Sequence, residues 1–387
     1  MKKYIIPALL AVTVFVVTIY FQRFTILRQE GLGLFLNVPD FYRALLFDPF
    51  PLSNLIGSFL VQFYASIYAG AAIVASIVVI EYYVIEAVIE RFGFDDMGIA
   101  AMAGACVSWF FLSKASNPST GVAIILCSLA IYAVLSMVVR KKVVRLNSHT
   151  LIGISACIGL LVAASLTIIF NKSIREGEKW GKIEFAAVQG EWNYLLKVAT
   201  PEEAYRDMRV VPYALMALNA QDRLATEMGK YPISDKFGLD YAGELNYGNC
   251  LFDAVLFSNL HCPNEAVHRI FQCGDFLPHG TSFRTLRMLV KENHAMGDSL
   301  MVVKYCDVLD HSLTHREFTR YYKNHPCRQR VPDSPEESAG APLIVSSNPL
   351  KNMIQLINSD ICFSMVLERY YAYYQLNEFL RTHPQGK

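Results

Sequence analysis

The chain has 387 residues and a formal net charge of +1, with 35 Lys and Arg against 34 Asp and Glu. A balance this even offers no basic footprint for a phosphate backbone, so nucleic acid is not an expected partner. Charge is unevenly placed: residues 1–171 hold 11 Lys/Arg and 8 Asp/Glu, and the remaining 216 hold 24 and 26. The first part reads as membrane and the second as a water-exposed domain.

About 20 apolar residues in a helix cross the hydrocarbon core. Charge-free runs at 4–20, 121–139 and 151–170 meet that length closely. A long apolar segment at 58–80 is another span, and 97–112 is a shorter one ending in the interfacial aromatics Trp109, Phe110 and Phe111. Five spans are expected. Lys2 and Lys3 precede the first, and Arg140, Lys141, Lys142 and Arg145 separate the last two, so both basic flanks fall on one side. The positive-inside rule makes that side cytoplasmic. An odd number of spans then places the second part outside, in the periplasm of a Gram-negative cell. The opening run continues into "FQRF" without a small-x-small cleavage site, as a retained signal anchor does.

Between the first two spans, residues 29–50 are too polar to span and too apolar for a plain loop. Leu34, Phe35, Val38, Phe41, Leu45 and Leu46 recur at helical intervals, which predicts an interfacial segment on the outer surface. Its acids Glu30, Asp40 and Asp48 are candidate catalytic carboxylates, because lipid-linked-sugar transferases place one in a large first outer loop; the simpler expectation is a solvated interfacial face. Small residues four apart, Ala65, Ala69, Ala72 and Ser76, then Ala100 with Gly104 and Ala101 with Ala105, predict close helix packing. A span at 58–80 puts Glu81 at the cytoplasmic interface, which is the expected placement. A span at 69–89 would put it near mid-membrane and make it a functional candidate.

From residue 172 the pattern is helix, short turn, helix, over 172–326. Residues 247–280 make a 34-residue unit of tetratricopeptide length, with Ala254, Phe257, Ala266 and Pro278 at the matching positions. A second unit starts near Phe283, turns at Gly297-Asp298 and buries Val302, Cys306 and Leu309. Residues 327–342 read as a Pro- and Ser-containing linker, and 343–387 as a helical hairpin or cap. The fold class is all-α: a five-helix transmembrane bundle followed by a helical-hairpin (TPR-like) domain.

Short pieces in both halves carry a resemblance: Gln29-Glu30 ahead of Leu34-Phe35-Leu36, "FLVQF" at 59–63, "YAGA" at 68–71, "NEA" at 264–266, "LVKENHAMGD" at 289–298 and "ERYYAYYQLN" at 368–377. The chain resembles an uncharacterised, polytopic membrane-protein family of Bacteroidota, described only as a domain of unknown function. The resemblance implies an inner-membrane location and a periplasmic repeat region, and it implies no activity. Its members carry more spans and a longer tail, so this chain reads as a shortened relative.

Strong catalytic motifs are missing: there is no phosphate loop, HExxH, GxSxG or paired CxxC. No cofactor is expected. Cys262, His268, Cys273 and His279 suggest a metal site, but residues five apart on one helix do not converge on a tetrahedral point. At 100° per residue, Ala266, Ile270 and Cys273 share a face about 60° wide, with His268 on the opposite side. No metal is expected, and His268 becomes a candidate binding residue. The six cysteines of the second part are irregularly spaced, so no particular disulfide is expected. Arg316, Arg320, Lys323, Arg328 and Arg330 form the one basic-aromatic run, a candidate surface for anionic glycan, lipid headgroups or an acidic partner.

Three function classes follow. The first is a membrane-anchored scaffold presenting a periplasmic repeat surface to another envelope protein. The second is an envelope glycosyl- or polysaccharide-transfer enzyme, or a degenerate relative, using the outer-loop acids. The third is a transport component, which requires Glu81 inside the membrane. Membrane lipids are partners in all three.

Overall fold

In the computed structural model, the described residues are 2–91, 94–95, 98–115, 117–138, 144–145, 150–233, 245–325 and 327. They are helical apart from connections and one two-residue parallel pairing, Phe94–Asp95 with Val144–Arg145. The chain divides into two compact units. The first is Met1–Gly181 with Val308–Arg316; the second is Lys182–Asp307 with the chain from Glu317 onward.

The first unit starts with α1 (Lys2–Phe21), α2 (Arg23–Leu32), α3 (Pro39–Leu46) and α4 (Pro51–Val61). Pro39 and Pro51 open their helices at the first helical position, where a missing N–H costs nothing. Then come α5 (Ile67–Arg91), α6 (Gly98–Ala115), α7 (Pro118–Val138) and α8 (Thr150–Phe170). The helix α9 (Lys172–Gln189) follows a 54° bend after α8. Asn171 sits at that bend, and its side-chain oxygen accepts the Ile174 N–H of α9 at 3.2 Å. Helix α5 is central and packs on α1, α6 and α7, while α8 closes on α6 and α1. Leu10, Val14, Ala71, Met102, Trp109 and Ile168 are fully buried between them. Side-chain branching would separate α4 from α7, because a Cβ on Gly57 would overlap the backbone of Ser119.

Three helices, Tyr4–Phe21, Ile67–Arg91 and Pro118–Met137, are long and apolar enough to cross a membrane, and the bent pair α8–α9 makes a fourth if counted as one span. Gly98–Lys114 is apolar but shorter. The run at 58–80 is not one helix. Helix α4 ends at Val61, a 3₁₀ turn occupies Gln62–Ala65, Ser66 is extended, and α5 runs on to Arg91. The break falls at buried Gln62, whose amide nitrogen donates to the Phe59 carbonyl at 2.9 Å while its oxygen accepts the Leu313 N–H at 3.0 Å. Two stripes of small residues also differ. Ala65, Ala72 and Ser76 are exposed and the buried face of α5 is Gly70, Ala71, Val74, Ala75 and Val78, whereas Ala101 and Ala105 are fully buried as their spacing suggests.

The acid-bearing segment 29–50 is half folded into the unit. Leu34, Phe35, Phe41 and Leu45 are buried, and Phe35 meets Phe41 and Phe59 edge-on. Leu46, Phe47 and Phe50 stay exposed, Phe47 at 91 %.

In the second unit, α9 reaches Gln189, Gly190 turns the chain at φ +71°, and α10 (Trp192–Val198) follows. Next are α11 (Pro201–Arg206), α12 (Val211–Ala220) and α13 (Leu224–Glu227), then α14 (Tyr247–Asn259), α15 (Pro263–Gly274), α16 (Phe283–Met296), α17 (Ser299–Asp310) and α18 (Arg316–Asn324). Helix α10 packs on α12, α14 on α15, and α15 on α16. A capping box joins Ser282 and Thr285 at the start of α16, and Gly297 ends it in the left-handed conformation at φ +81°. Ala266, Ile270, Cys273, Cys306 and Leu309 are buried, and His268 is exposed. The expected linker 327–342 and cap 343–387 lie outside the described residues except Cys327.

Candidate functional site

The most enclosed polar cluster of the first unit gathers residues from the two ends of its chain. Glu30, in the last turn of α2, and His315, just ahead of α18, are both buried at 3 % exposure. His315 Nε2 lies 3.0 Å from Glu30 Oε1; its Nδ1 lies 3.0 Å from Ser312 Oγ and 3.1 Å from Thr314 Oγ1. The Ser312 hydroxyl donates to the Leu309 carbonyl at 2.8 Å. The ring thus bridges the Glu30 carboxylate on one side and the Ser312 and Thr314 hydroxyls on the other, with the donor at each contact set by its tautomer. Two backbone bonds flank the cluster, Leu313 N–H to Gln62 and Asn37 N–H to the His311 carbonyl at 2.9 Å. Ser, His and Glu stand in the order of a nucleophilic triad, but Ser312 is fully buried and its proton faces a carbonyl. The arrangement holds the 308–316 segment in the first unit.

The other acids of segment 29–50 do not join Glu30 in this enclosure. Asp40 is exposed and pairs with Arg43 at 3.3 Å, one helical turn away, and Asp48 is half-buried past the end of α3. A second enclosed carboxylate, Glu178 of α9, sits at the N-terminus of α2. It accepts the Phe24 N–H at 3.1 Å, the Thr25 N–H at 2.9 Å and the Thr25 hydroxyl at 2.9 Å. The positive end of the helix dipole is thereby occupied by the chain itself. Nearby, a cavity of about 10 Å³, room for one water, is lined by Gln22, Thr25, Tyr64 and Ser113.

Glu81 is the third enclosed acid, well inside α5 rather than at its edge, and it accepts a hydrogen bond from Ser128 of α7 at 2.9 Å. The helix that carries it starts at Ile67, nine residues beyond the expected start at 58 and close to the alternative span at 69–89.

In the second unit, buried polar pairs tie helix to helix. Arg284 of α16 bonds Glu184 of α9 at 2.8 Å, Arg269 of α15 faces Asp253 of α14 at 3.4 Å, and Ser258 of α14 donates to Glu292 of α16 at 2.7 Å. Burial pushes the Tyr247 phenol up to about 12 and raises the Glu292 carboxyl above the ordinary carboxylate range. Sequence reading missed these pairs; the available signal was a single charge inside an apolar run, as Asp253 in "CLFDAVLF".

Three members of the basic run, Arg316, Arg320 and Lys323, lie on α18. Arg316 and Arg320 are exposed, Lys323 bonds Asp307 at 2.7 Å, and Arg328 and Arg330 lie outside the described residues. His268 is exposed, with its Nε2 3.2 Å from Gln272 Nε2. Among the described residues no three metal-ligating side chains group together, and Cys250, Cys262, Cys273, Cys306 and Cys327 are free thiols. Burial pushes the Cys250 thiol up to about 11, which makes it inert. Cys362 and the question of its pairing fall outside the described residues.

The helices define an all-helical protein with several segments that fit a membrane. Residues 1–181 and 150–360 match one family, and the chain belongs to it: the Family of unknown function (DUF6057). No curated protein and no solved structure matches the chain.

Proposed function

We propose that this chain is a membrane-anchored interaction protein of the bacterial envelope. Its first unit is a five-span inner-membrane anchor with a cytoplasmic N-terminus, and its second is a TPR-like helical array facing the periplasm. The observation that carries the reading is the exposure of large apolar side chains on the array: Phe271 of α15 at 54 % and Leu300 of α17 at 82 %, with Phe276 and Val303 also exposed. Open apolar side chains on a helical array support a surface that another protein covers where they adjoin, and the crosslinking below tests whether these do. Leu46, Phe47 and Phe50 support the anchor, since exposed apolar side chains at the tip of a short amphipathic helix enter the headgroup layer. Bacteroidota are the source to which the quoted motifs point.

The transferase reading is weaker. Of its three carboxylates, Glu30 is enclosed by His315, Asp48 is half-buried, and exposed Asp40 stands only beside Arg43 with no enclosing pocket among the described residues. The test is photo-crosslinking in cells, with benzoylphenylalanine at position 271 or 300 of the full chain. The expected result is one adduct shared by both positions and lost from a control at exposed Glu202; adducts to the bulk of envelope proteins, or none, contradict the proposal.

A further inference from the structure

Glu81 has a place in the first unit that packing alone does not explain. Its side chain is 2 % exposed, one carboxyl oxygen accepts the Ser128 hydroxyl at 2.9 Å, and the other is enclosed without a hydrogen-bond partner. Among the described residues no Lys, Arg or His pairs with it. Contacts along α7 fix its depth. A Cβ on Gly121 would meet Ile77, and Arg91 donates to the Ser136 carbonyl, so α5 and α7 run the same way with Glu81 between those levels. Ser128 is the eleventh of 20 residues in the candidate span Pro118–Met137, which has no charged residue. The carboxyl therefore lies at the mid-level of a membrane-crossing helix.

The charged and titratable groups around it are few. On α5 itself Tyr82 and Tyr83 adjoin it and Glu86, Glu90 and Arg91 lie further along. Of the elements packed on α5, α7 offers only Cys127 and Tyr132; α6 offers Cys106 and, at its far end, Lys114; the Phe94–Asp95 strand beyond the end of α5 carries Asp95, and Cys157 of α8 stands near Tyr82. Helix α1 carries Lys2, Lys3 and Tyr4 at its start and Tyr20 near its end. The 3₁₀ turn and α2 bring Tyr64, Arg23, Arg28 and Glu30, but α2 meets α5 at Gly70, eleven residues before Glu81. No counter-charge stands against the carboxylate, and an ionised acid in such a place is far costlier than the neutral acid.

The geometry points to Glu81 as a proton-binding site inside the membrane, protonated at rest, with Ser128 as the residue that positions it. In the neutral acid the carbonyl oxygen takes the Ser128 hydroxyl and the enclosed oxygen carries the proton. Two oxygens, from Glu81 and Ser128, fall short of the shell that a metal cation requires. This site stands independently of the partner-binding reading.

The test is reaction of the full chain, in liposomes at pH 7, with the lipid-soluble reagent dicyclohexylcarbodiimide, read by peptide mass spectrometry. A protonated carboxyl adds across one C=N bond: its proton moves to nitrogen, its oxygen bonds the central carbon, and rearrangement to the N-acylurea leaves no departing group. Glu81 should be modified about a hundred-fold more than exposed Glu202, because a free Glu with a pKa of about 4.3 is almost wholly ionised at pH 7. Sodium ions should not protect it, and Glu81→Gln should remove a protonated-carboxyl band from the infrared spectrum. Absence of the Glu81 adduct while other carboxyls react, protection by sodium, or an unchanged infrared band would each overturn the proposal. The labelling arm uses the unaltered chain, so misfolding of the variant leaves the test decisive.

Discussion

His315 Nε2 and Glu30 Oε1 stand 3.0 Å apart across 285 residues of sequence, both buried in the same unit. Deleting either partner leaves the other polar and enclosed, which costs about 1–3 kcal/mol. Glu30→Ala is expected to destabilise the full chain in detergent by that amount, and Glu30→Ala with His315→Ala by less than the sum of the two. Asp40→Ala, at an exposed pair, is expected to cost about 0–1 kcal/mol. Equal losses for Glu30→Ala and Asp40→Ala in chemical unfolding would contradict the enclosed geometry.

Arg284 and Glu184 form a buried ion pair between α16 and α9. Arg284→Ala is expected to cost about 3–5 kcal/mol, because Glu184 is left charged and enclosed. Arg284→Met with Glu184→Leu should recover most of that loss. Denaturant midpoints of the three proteins check the ordering.

Glu292 supplies a pH dependence with a definite sign. Burial raises its folded-state pKa, an effect only partly offset by the Ser258 hydrogen bond and by Lys291. The folded state therefore holds the proton where the unfolded state has released it. Its stabilising contribution is complete below the unfolded pKa and is lost as pH rises through the folded one. Glu292→Gln keeps an acceptor for Ser258 and should flatten that decline, so the variant gains on the unaltered chain toward neutral pH. A thermal-unfolding series across acid to neutral pH measures it; parallel curves would show that Glu292 is not the titrating group.

The helical class and the apolar runs were legible because lipid-length apolar segments and helical spacing are local signals. Ala266, Ile270 and Cys273 share a buried face as their 100° spacing dictates, and His268 stays outside. The break at Gln62 was not legible, since "LVQFYAS" has the composition of a span and the partner of the Gln62 side-chain oxygen is the distant Leu313 N–H. The break puts the start of α5 at Ile67 and Glu81 in the interior of that helix. Glu30 stood out as an acid of segment 29–50, but its partner His315 lies 285 residues away, and no local pattern joins them.

Close approach at Gly57 gives a further test of the first unit. A Cβ there would overlap the Ser119 backbone, so Gly57→Val should force α4 from α7 and cost about 1–3 kcal/mol. Gly159, with open space where a Cβ would stand, is the control, and Gly159→Ala should be close to neutral in the same unfolding assay.

The proposed anchor would carry the helical array to the side of the membrane opposite the N-terminus. The direct measurement is labelling with a membrane-impermeant maleimide in spheroplasts. A reporter cysteine is placed at exposed His268 or at Lys3, with Cys127, Cys262, Cys327 and Cys362 changed to Ser and the buried Cys106, Cys157, Cys250, Cys273 and Cys306 kept. Position 268 should react in sealed spheroplasts and position 3 only after lysis. Reaction of position 3 in sealed spheroplasts, or silence of position 268 until lysis, would contradict the five-span arrangement and the periplasmic array together.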